Sequence, residues 1–99
     1  SPLYFGIRGQ NVTGTMATRY GLPVGIYVTD IELDTPAYAA GIQPGDIITG
    51  IDGNMVLTIQ AFSEKLYQCE SGQQISITAK RFGGDEYKDM TFNAVIAVK

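Results

Sequence analysis

Glycine and proline interrupt this chain so often that only short strands and helices can form. Twelve glycines and four prolines occur among 99 residues, and the apolar runs between them are short. Glycine permits positive backbone torsions and proline removes an amide donor, so both residues punctuate regular structure. No internal repeat, linker or low-complexity tract is visible. We therefore expect one small domain over residues 1–99, with a single core.

Composition narrows the possible functions of the chain. Seven Lys plus Arg stand against ten Asp plus Glu, with a net charge of -3 and no basic cluster, so nucleic acid is not an expected partner. There is no signal-like start and no run of about 18 apolar residues, so we expect neither a targeting segment nor membrane contact by this fragment.

Catalysis and metal binding are not expected either. Histidine is absent, which removes the usual general base for a serine or cysteine nucleophile and a common metal ligand. Cys69 is a single cysteine, so no disulfide or paired-cysteine zinc site can form within the chain, and its role stays open. A serine or threonine near Lys65, or the carboxylates of Asp85 and Glu86, would be the candidates for an enzyme, but no motif supports them. We expect no catalytic residues, no metal site and no cofactor.

Alternation and capping signals predict an α+β, mostly β fold. Strands are expected at residues 4–9, 24–33, 46–51, 55–57, 74–82 and 87–98, and the last two form a closing hairpin. Short helices are expected at residues 13–20 and between Thr35 and Gly41, where Pro36 occupies the first helical position. These elements describe a partly open β-barrel of five or six strands, with one main helix and one or two short ones.

The main helix is predicted after Thr58, whose hydroxyl can cap it. Its apolar residues recur three or four apart and are expected to face the core: Ile59, Phe62, Leu66 and Cys69. This rotation leaves Ser63 and Tyr67 on a neighbouring face, with Leu66 at its border. These three residues could line a ligand pocket. Tyr67 could equally be a half-buried aromatic that extends its hydroxyl to water.

Residues 40–53 carry the most specific pattern in the chain, AGIQPGDIITGIDG. Gly41 closes the short helix, Asp46 can accept bonds from turn amides, and Asp52 with Gly53 reverses the chain. The run resembles the A-G-hydrophobic-x-x-G-D pattern, ending in Asp-Gly or Asn-Gly, of bacterial PDZ domains. A structural role explains each of these residues, so the run indicates the fold and does not mark a site.

The segment Tyr4-Phe5-Gly6-Ile7 resembles the loop that holds the ligand carboxylate in PDZ domains of the HtrA (DegP/DegS-like) serine proteases. The order of the loop, the middle turn, the groove helix and the final hairpin is also similar. The resemblance implies that the amides of Phe5, Gly6 and Ile7 receive the carboxylate of a polypeptide C-terminus. Ile7, Arg8 and Gly9 would then pair with the ligand as an added strand.

The resemblance further implies a domain without catalysis that regulates or feeds a serine endopeptidase domain of the same parent chain. Its partners would be C-terminal peptides or unfolded and misfolded proteins, as in bacterial protein quality control. The parent would be extracytoplasmic and membrane-anchored. The alternative is a PDZ module of another protease or of a secretion protein, acting in assembly or in occlusion of an active site. Residues 4–7 could also form an ordinary edge strand with Gly6 at a bulge.

Two further groups of charged residues are interpreted as solvent-exposed surface charge and not as binding sites. Asp30, Glu32 and Asp34 share one strand face, and a solvated surface is favoured there over a hard-cation site. Cations of the closing hairpin are expected to be exposed; these are Lys80, Arg81 and Lys88.

Overall fold

The computed structural model describes residues 3–98, and its regular structure is mostly β. The strands are β1 (Leu3–Tyr4), β2 (Ile7–Val12), β3 (Gly25–Ile31), β4 (Ile47–Ile51), β5 (Asn54–Met55), β6 (Gln74–Gly83), β7 (Glu86–Val95) and β8 (Ala97–Val98). The helices are α1 (Gly14–Tyr20), α2 (Pro36–Ala40) and α3 (Ile59–Tyr67). The predicted fold class is confirmed. Over the described part of the chain, no helix has the length and apolarity needed to cross a membrane.

One antiparallel sheet organises the domain. Its strand order is β2-β3-β4-β6-β7, with β5 paired to β4, while β1 and β8 form a separate two-stranded sheet. The predicted closing hairpin is formed by β6 and β7, in which Ile75 pairs with Ala94 and Ile77 with Phe92. Because β2 is the terminal strand of the order, its outer edge is open to a further strand.

The core lies between this sheet and the helices. It consists of small and branched apolar side chains around three phenylalanines, among them Phe5, Ile26, Val28, Ile48, Phe62, Ile75, Ile77, Phe92 and Ile96. The rings of Phe5 and Phe62 meet edge to face, with centroids 5.2 Å apart. This contact packs the segment between β1 and β2 against α3, so both belong to the same core.

Threonine caps begin all three helices of the described region. The hydroxyls of Thr13, Thr35 and Thr58 accept bonds from the amides three residues ahead, at 3.3, 3.3 and 3.1 Å. Gly41 closes α2 as predicted, and both it and Gly21, which closes α1, adopt the left-handed conformation. A capping hydroxyl satisfies an amide that the helix itself cannot, which is why these starts were readable from local sequence.

Three boundaries differ from the predictions. The first strand is two strands, because the chain turns at Phe5 and Gly6 and then continues to Val12. The last strand is also two: β7 ends at Val95, and β8 pairs with β1. The main helix ends at Tyr67 rather than near Cys69. The two strand differences depend on pairing with segments that are distant in sequence, whereas α3 ends in short local bonds from the Gln68 and Cys69 amides to the carbonyls three residues before them.

The prediction that Arg81 is an exposed charge of the hairpin is wrong, since its side chain is 28% exposed. Its Nε and Nη2 donate to the two carboxylate oxygens of Asp46, both at 2.8 Å, and Asp46 is 1% exposed. Asp46 also accepts from the Gln43 amide at 2.9 Å, as predicted for a turn. Bonding to Asp46 raises the pKa of Arg81 above its ordinary value. This pair ties the turn before β4 to the closing hairpin.

The acidic row of Asp30, Glu32 and Asp34 is exposed to solvent. Within residues 3–98, no three acidic, cysteine or histidine side chains come close enough together to hold a metal ion. Lys80 makes an exposed pair with Asp89 at 2.6 Å.

Candidate functional site

A groove runs between the open edge of β2 and helix α3, with a cavity of about 230 Å³. Its lining brings together seven of the nine residues predicted from sequence: Tyr4, Phe5, Gly6, Ile7, Gly9, Ser63 and Leu66. Ile26, Glu32, Ile59 and Phe62 complete the lining. The cavity is smaller than the 300 Å³ or more usual for drug-sized ligands, which suits one or two side chains.

Two backbone hydrogen bonds orient the β1–β2 loop, which consists of Phe5 and Gly6. The Phe5 carbonyl accepts from the Ala37 amide at 3.0 Å, and the Gly6 carbonyl accepts from the Glu32 amide at 2.9 Å. No peptide bond of the described residues is cis. In a trans peptide the N–H points opposite to the C=O of the same plane. The amides of Gly6 and Ile7 therefore point away from residues 32–37, toward the open edge of β2.

Consecutive amides that point the same way form an anion-binding concavity. The loop can take this shape because Gly6 has φ 102°, a conformation that side chains disfavour. A Cβ on Gly6 would also lie 2.2 Å from the Oγ1 of Thr35. Glycine is thus required at this position by the packing beneath the loop as well as by its backbone torsion.

The helical wall of the groove is mainly apolar. Ile59, Phe62, Ser63 and Leu66 line it. Phe62 is buried as predicted, but Ile59 is 38% exposed and faces the groove instead of the core. Sequence reasoning missed this role for Ile59. Its position four residues before Ser63 could have indicated it, since residues four apart share a helix face.

The two walls are linked at the start of α3. The side-chain oxygen of Asn11, near the end of β2, accepts from the Ile59 amide at 2.8 Å. This bond satisfies one of the amides that the first turn of a helix leaves without a partner. Together with the Phe5–Phe62 ring contact, it holds β2 and α3 at a set separation.

Arg8 and Tyr67 are not part of the cavity lining. Tyr67 is 70% exposed, and the Arg8 side chain points into solvent with its Nη2 4.0 Å from the Glu32 carboxylate. A pair this exposed contributes little to stability. A role for these two residues in binding stays a prediction, and it would involve ligand residues outside the cavity.

The sequence model of the PDZ domain family matches residues 4–96. This chain therefore belongs to the PDZ domain family.

Its relatives are proteases of the HtrA type, which confirms the predicted resemblance. The chain is 30% identical over 94 residues to a probable periplasmic serine endoprotease, DegP-like, of Brucella suis, covering 93% of this chain and 18% of that protein. It is 34% identical over 61 residues to the serine protease Do-like HtrA of Lactobacillus helveticus, covering 62% and 15%. The chain thus spans less than a fifth of the length of these curated relatives.

Solved structures of this type superpose closely on the chain. The HtrA-type protease AlgW with a decapeptide matches with a TM-score of 0.82 at 26% identity, over 99% of this chain and 30% of that chain. The HtrA3 PDZ domain bound to a phage-derived ligand matches with a TM-score of 0.72 at 26% identity, over 95% and 84%. The domain is therefore similar to HtrA PDZ domains that bind peptide ligands.

Proposed function

We propose that this domain binds the C-terminal end of another polypeptide as an added strand along β2. The main support is that the β1–β2 loop lines the cavity between β2 and α3, and that the amides of Gly6 and Ile7 in this loop point to the open edge. Converging amides suit a carboxylate, and the open edge suits a peptide backbone. In this proposal the Phe5 amide also contributes to carboxylate binding, and residues 7–9, which include Arg8, pair with the ligand.

The cavity would take the terminal side chain of the ligand. In this proposal Ile7 and Leu66 form its apolar floor, Tyr4 flanks it, and the small side chain of Ser63 leaves room in the wall; all four residues line the cavity. An apolar terminal residue would gain free energy by leaving water, at roughly 25 cal/mol for each Å² buried. We therefore propose a preference for bulky apolar chain ends.

In the parent protein, the domain would regulate a serine protease domain or deliver substrates to it. The support is that the curated relatives are proteases at least five times as long as the aligned region. C-termini exposed on unfolded or misfolded proteins would be its ligands. The periplasmic description of the Brucella suis relative supports an extracytoplasmic location, and we extend this to a membrane-anchored parent.

The test is direct titration with fluorescent peptides that end in an apolar residue, prepared as free acids and as amides. We expect the free acid to bind with a Kd of about 1 μM, which corresponds to about -8 kcal/mol. The amide should bind at least about tenfold more weakly, because charge-assisted hydrogen bonds to the loop amides are lost. Equal affinities would contradict carboxylate capture and favour a module that acts in assembly or occlusion.

A pair of variants localises the binding to the groove. Ile59→Ala removes an apolar side chain from the cavity lining, and Gln60→Ala changes the next residue, which is exposed and outside the lining. Ile59→Ala should raise the Kd by up to about 30-fold, since about two to three methylene contacts are lost at about 0.8 kcal/mol each. Gln60→Ala should leave it unchanged. Equal effects of the two variants would place the ligand elsewhere.

A further inference from the structure

Thr35 differs from the other two threonine caps of the described region. Thr13 and Thr58 are exposed, whereas Thr35 is 4% exposed. Its hydroxyl accepts from the Tyr38 amide at 3.3 Å and also donates to the Glu32 carbonyl at 2.8 Å. A helix cap needs only the first of these bonds. The second bond fixes the peptide that follows Glu32.

Thr35 also lies directly under the β1–β2 loop. A Cβ on Gly6 would approach its Oγ1, Cβ and Cγ2 to 2.2, 2.4 and 2.7 Å, so the loop backbone rests on this side chain. On either side of Thr35, the amides of Glu32 and Ala37 bond the carbonyls of Gly6 and Phe5. The threonine therefore stands at the centre of the segment that orients both loop peptides.

We propose that Thr35 is a positioning residue for carboxylate binding, which acts through the β1–β2 loop without touching the ligand. This inference rests on the proposed function of the groove. The hydroxyl holds the peptide that follows Glu32, and the N–H that donates to the Gly6 carbonyl belongs to the peptide before Glu32, so the bond restrains the backbone torsions of Glu32 that relate the two planes. The Cβ and methyl of Thr35 fill the space into which the loop would otherwise relax. Both effects keep the Gly6 and Ile7 amides turned to the ligand before it arrives.

Loss of this loop orientation would weaken binding of the ligand carboxylate in particular. A peptide plane that rotates turns its carbonyl oxygen, which carries a partial negative charge, to where the ligand oxygen would lie. Donors that are already oriented do not have to be reorganised upon binding, so their contribution to affinity is retained in full. A ligand with a neutral amide end gains less from these donors and is less sensitive to their orientation.

Three variants separate positioning from general stability. Thr35→Val keeps the shape and removes the hydroxyl, and Thr35→Ser keeps the hydroxyl and removes the methyl. Thr13→Val is the matched control, since it removes a cap of the same 3.3 Å length from α1 without touching the loop. For each variant, the Kd of one peptide is measured as free acid and as amide, at a temperature where circular dichroism shows the protein to be folded.

Thr35→Val should raise the Kd of the free acid by about tenfold, equivalent to about 1.4 kcal/mol, and that of the amide by less than about twofold. Thr35→Ser keeps the hydroxyl and loses only the methyl, so it should raise the Kd of the free acid by less than Thr35→Val does, and Thr13→Val should leave both Kd values unchanged. An equal rise for both peptides, or the same loss of preference in Thr13→Val, would overturn the positioning role while leaving peptide binding intact. A wild-type domain without preference for the free acid would overturn the proposed function itself, and this inference with it.

Hydrogen exchange on the wild-type domain provides a measurement that does not depend on any variant folding. The amides of Glu32 and Ala37 should exchange slowly in the free protein, because the loop carbonyls hold them. Those of Gly6 and Ile7 should become protected only when the free-acid peptide is added. Rapid exchange at Glu32 in the free protein would show that the loop is not held in place, and would overturn the proposal.

Discussion

Replacing Ser63 by leucine should change which terminal residue the groove accepts while the domain keeps its stability. Ser63 is half-buried and lines the cavity of about 230 Å³. Leucine puts a carbon in place of the hydroxyl and adds two more. Each methylene of the ligand that is excluded from apolar contact costs about 0.8 kcal/mol. Loss of two to three such contacts amounts to about 2 kcal/mol, or about 30-fold in Kd.

The assay is a comparison of peptides that differ only in their terminal residue. In the wild-type domain, peptides ending in phenylalanine or leucine should bind more tightly than one ending in alanine. In Ser63→Leu, the phenylalanine peptide should lose about 30-fold, whereas the alanine peptide should change by less than about threefold. The preferred terminal residue therefore becomes smaller.

The melting temperature and a neighbouring variant complete this experiment. Leucine has a higher helix propensity than serine, and a groove-facing change opens no core cavity, so stability should change by less than about 1 kcal/mol. Gln60→Leu places the same side chain on an exposed part of α3 and should leave the ranking of peptides unchanged. An unchanged ranking in Ser63→Leu, together with a strongly lowered melting temperature, would refute the assigned rotation of α3.

Two further predictions concern residues outside the groove. Arg81→Met leaves the buried Asp46 carboxylate without its cation and should lower the free energy of unfolding by about 3–5 kcal/mol. Lys80→Met breaks only an exposed pair with Asp89 and should lower it by less than about 1 kcal/mol. Similar losses for the two variants in denaturant titrations would contradict this reasoning. Burial raises the pKa of the Cys69 thiol, so the neutral form is favoured in the folded state. The Cys69 thiol therefore contributes its full stabilisation of the folded state at pH values below its ordinary pKa. This stabilisation is lost as the pH rises through the raised pKa. Alkylation of the folded protein at mildly alkaline pH should accordingly be slower than alkylation of the urea-unfolded chain, and a faster rate would contradict the shift.

Local signals in the sequence were sufficient for most of the elements. The caps at Thr13, Thr35 and Thr58 act over three residues, and the alternation in β6 and β7 reflects the two-residue period of a strand. The loop residues of the groove were found through their resemblance to a known family, and the cavity brings most of them together. The rotation of α3 was nearly right, because its apolar stripe identifies Phe62 as buried and Ser63 as its neighbour on the groove side.

Other features depend on contacts that no local pattern encodes. The local sequence around Arg81 is typical of an exposed hairpin cation. Its partner Asp46 is 35 residues away in sequence, and only the fold brings the two side chains together. Ile59 belongs to the apolar stripe of α3 by its spacing, but the sheet covers only part of that stripe and leaves Ile59 at the groove. Tyr67 fits a pocket position on a helical wheel, but it is exposed, and the cavity takes only Ile59, Phe62, Ser63 and Leu66 from α3.

The sequence by itself determined where the three helices begin and which faces of the long hairpin strands are apolar, since these follow from the types and spacing of neighbouring residues. Only the tertiary structure decided the orientation of the β1–β2 loop. The direction of its amides depends on bonds from Glu32 and Ala37 and on the Thr35 side chain beneath Gly6, all of them distant in sequence. A loop has no periodic pattern of its own, so its peptide planes are set by whatever packs against them.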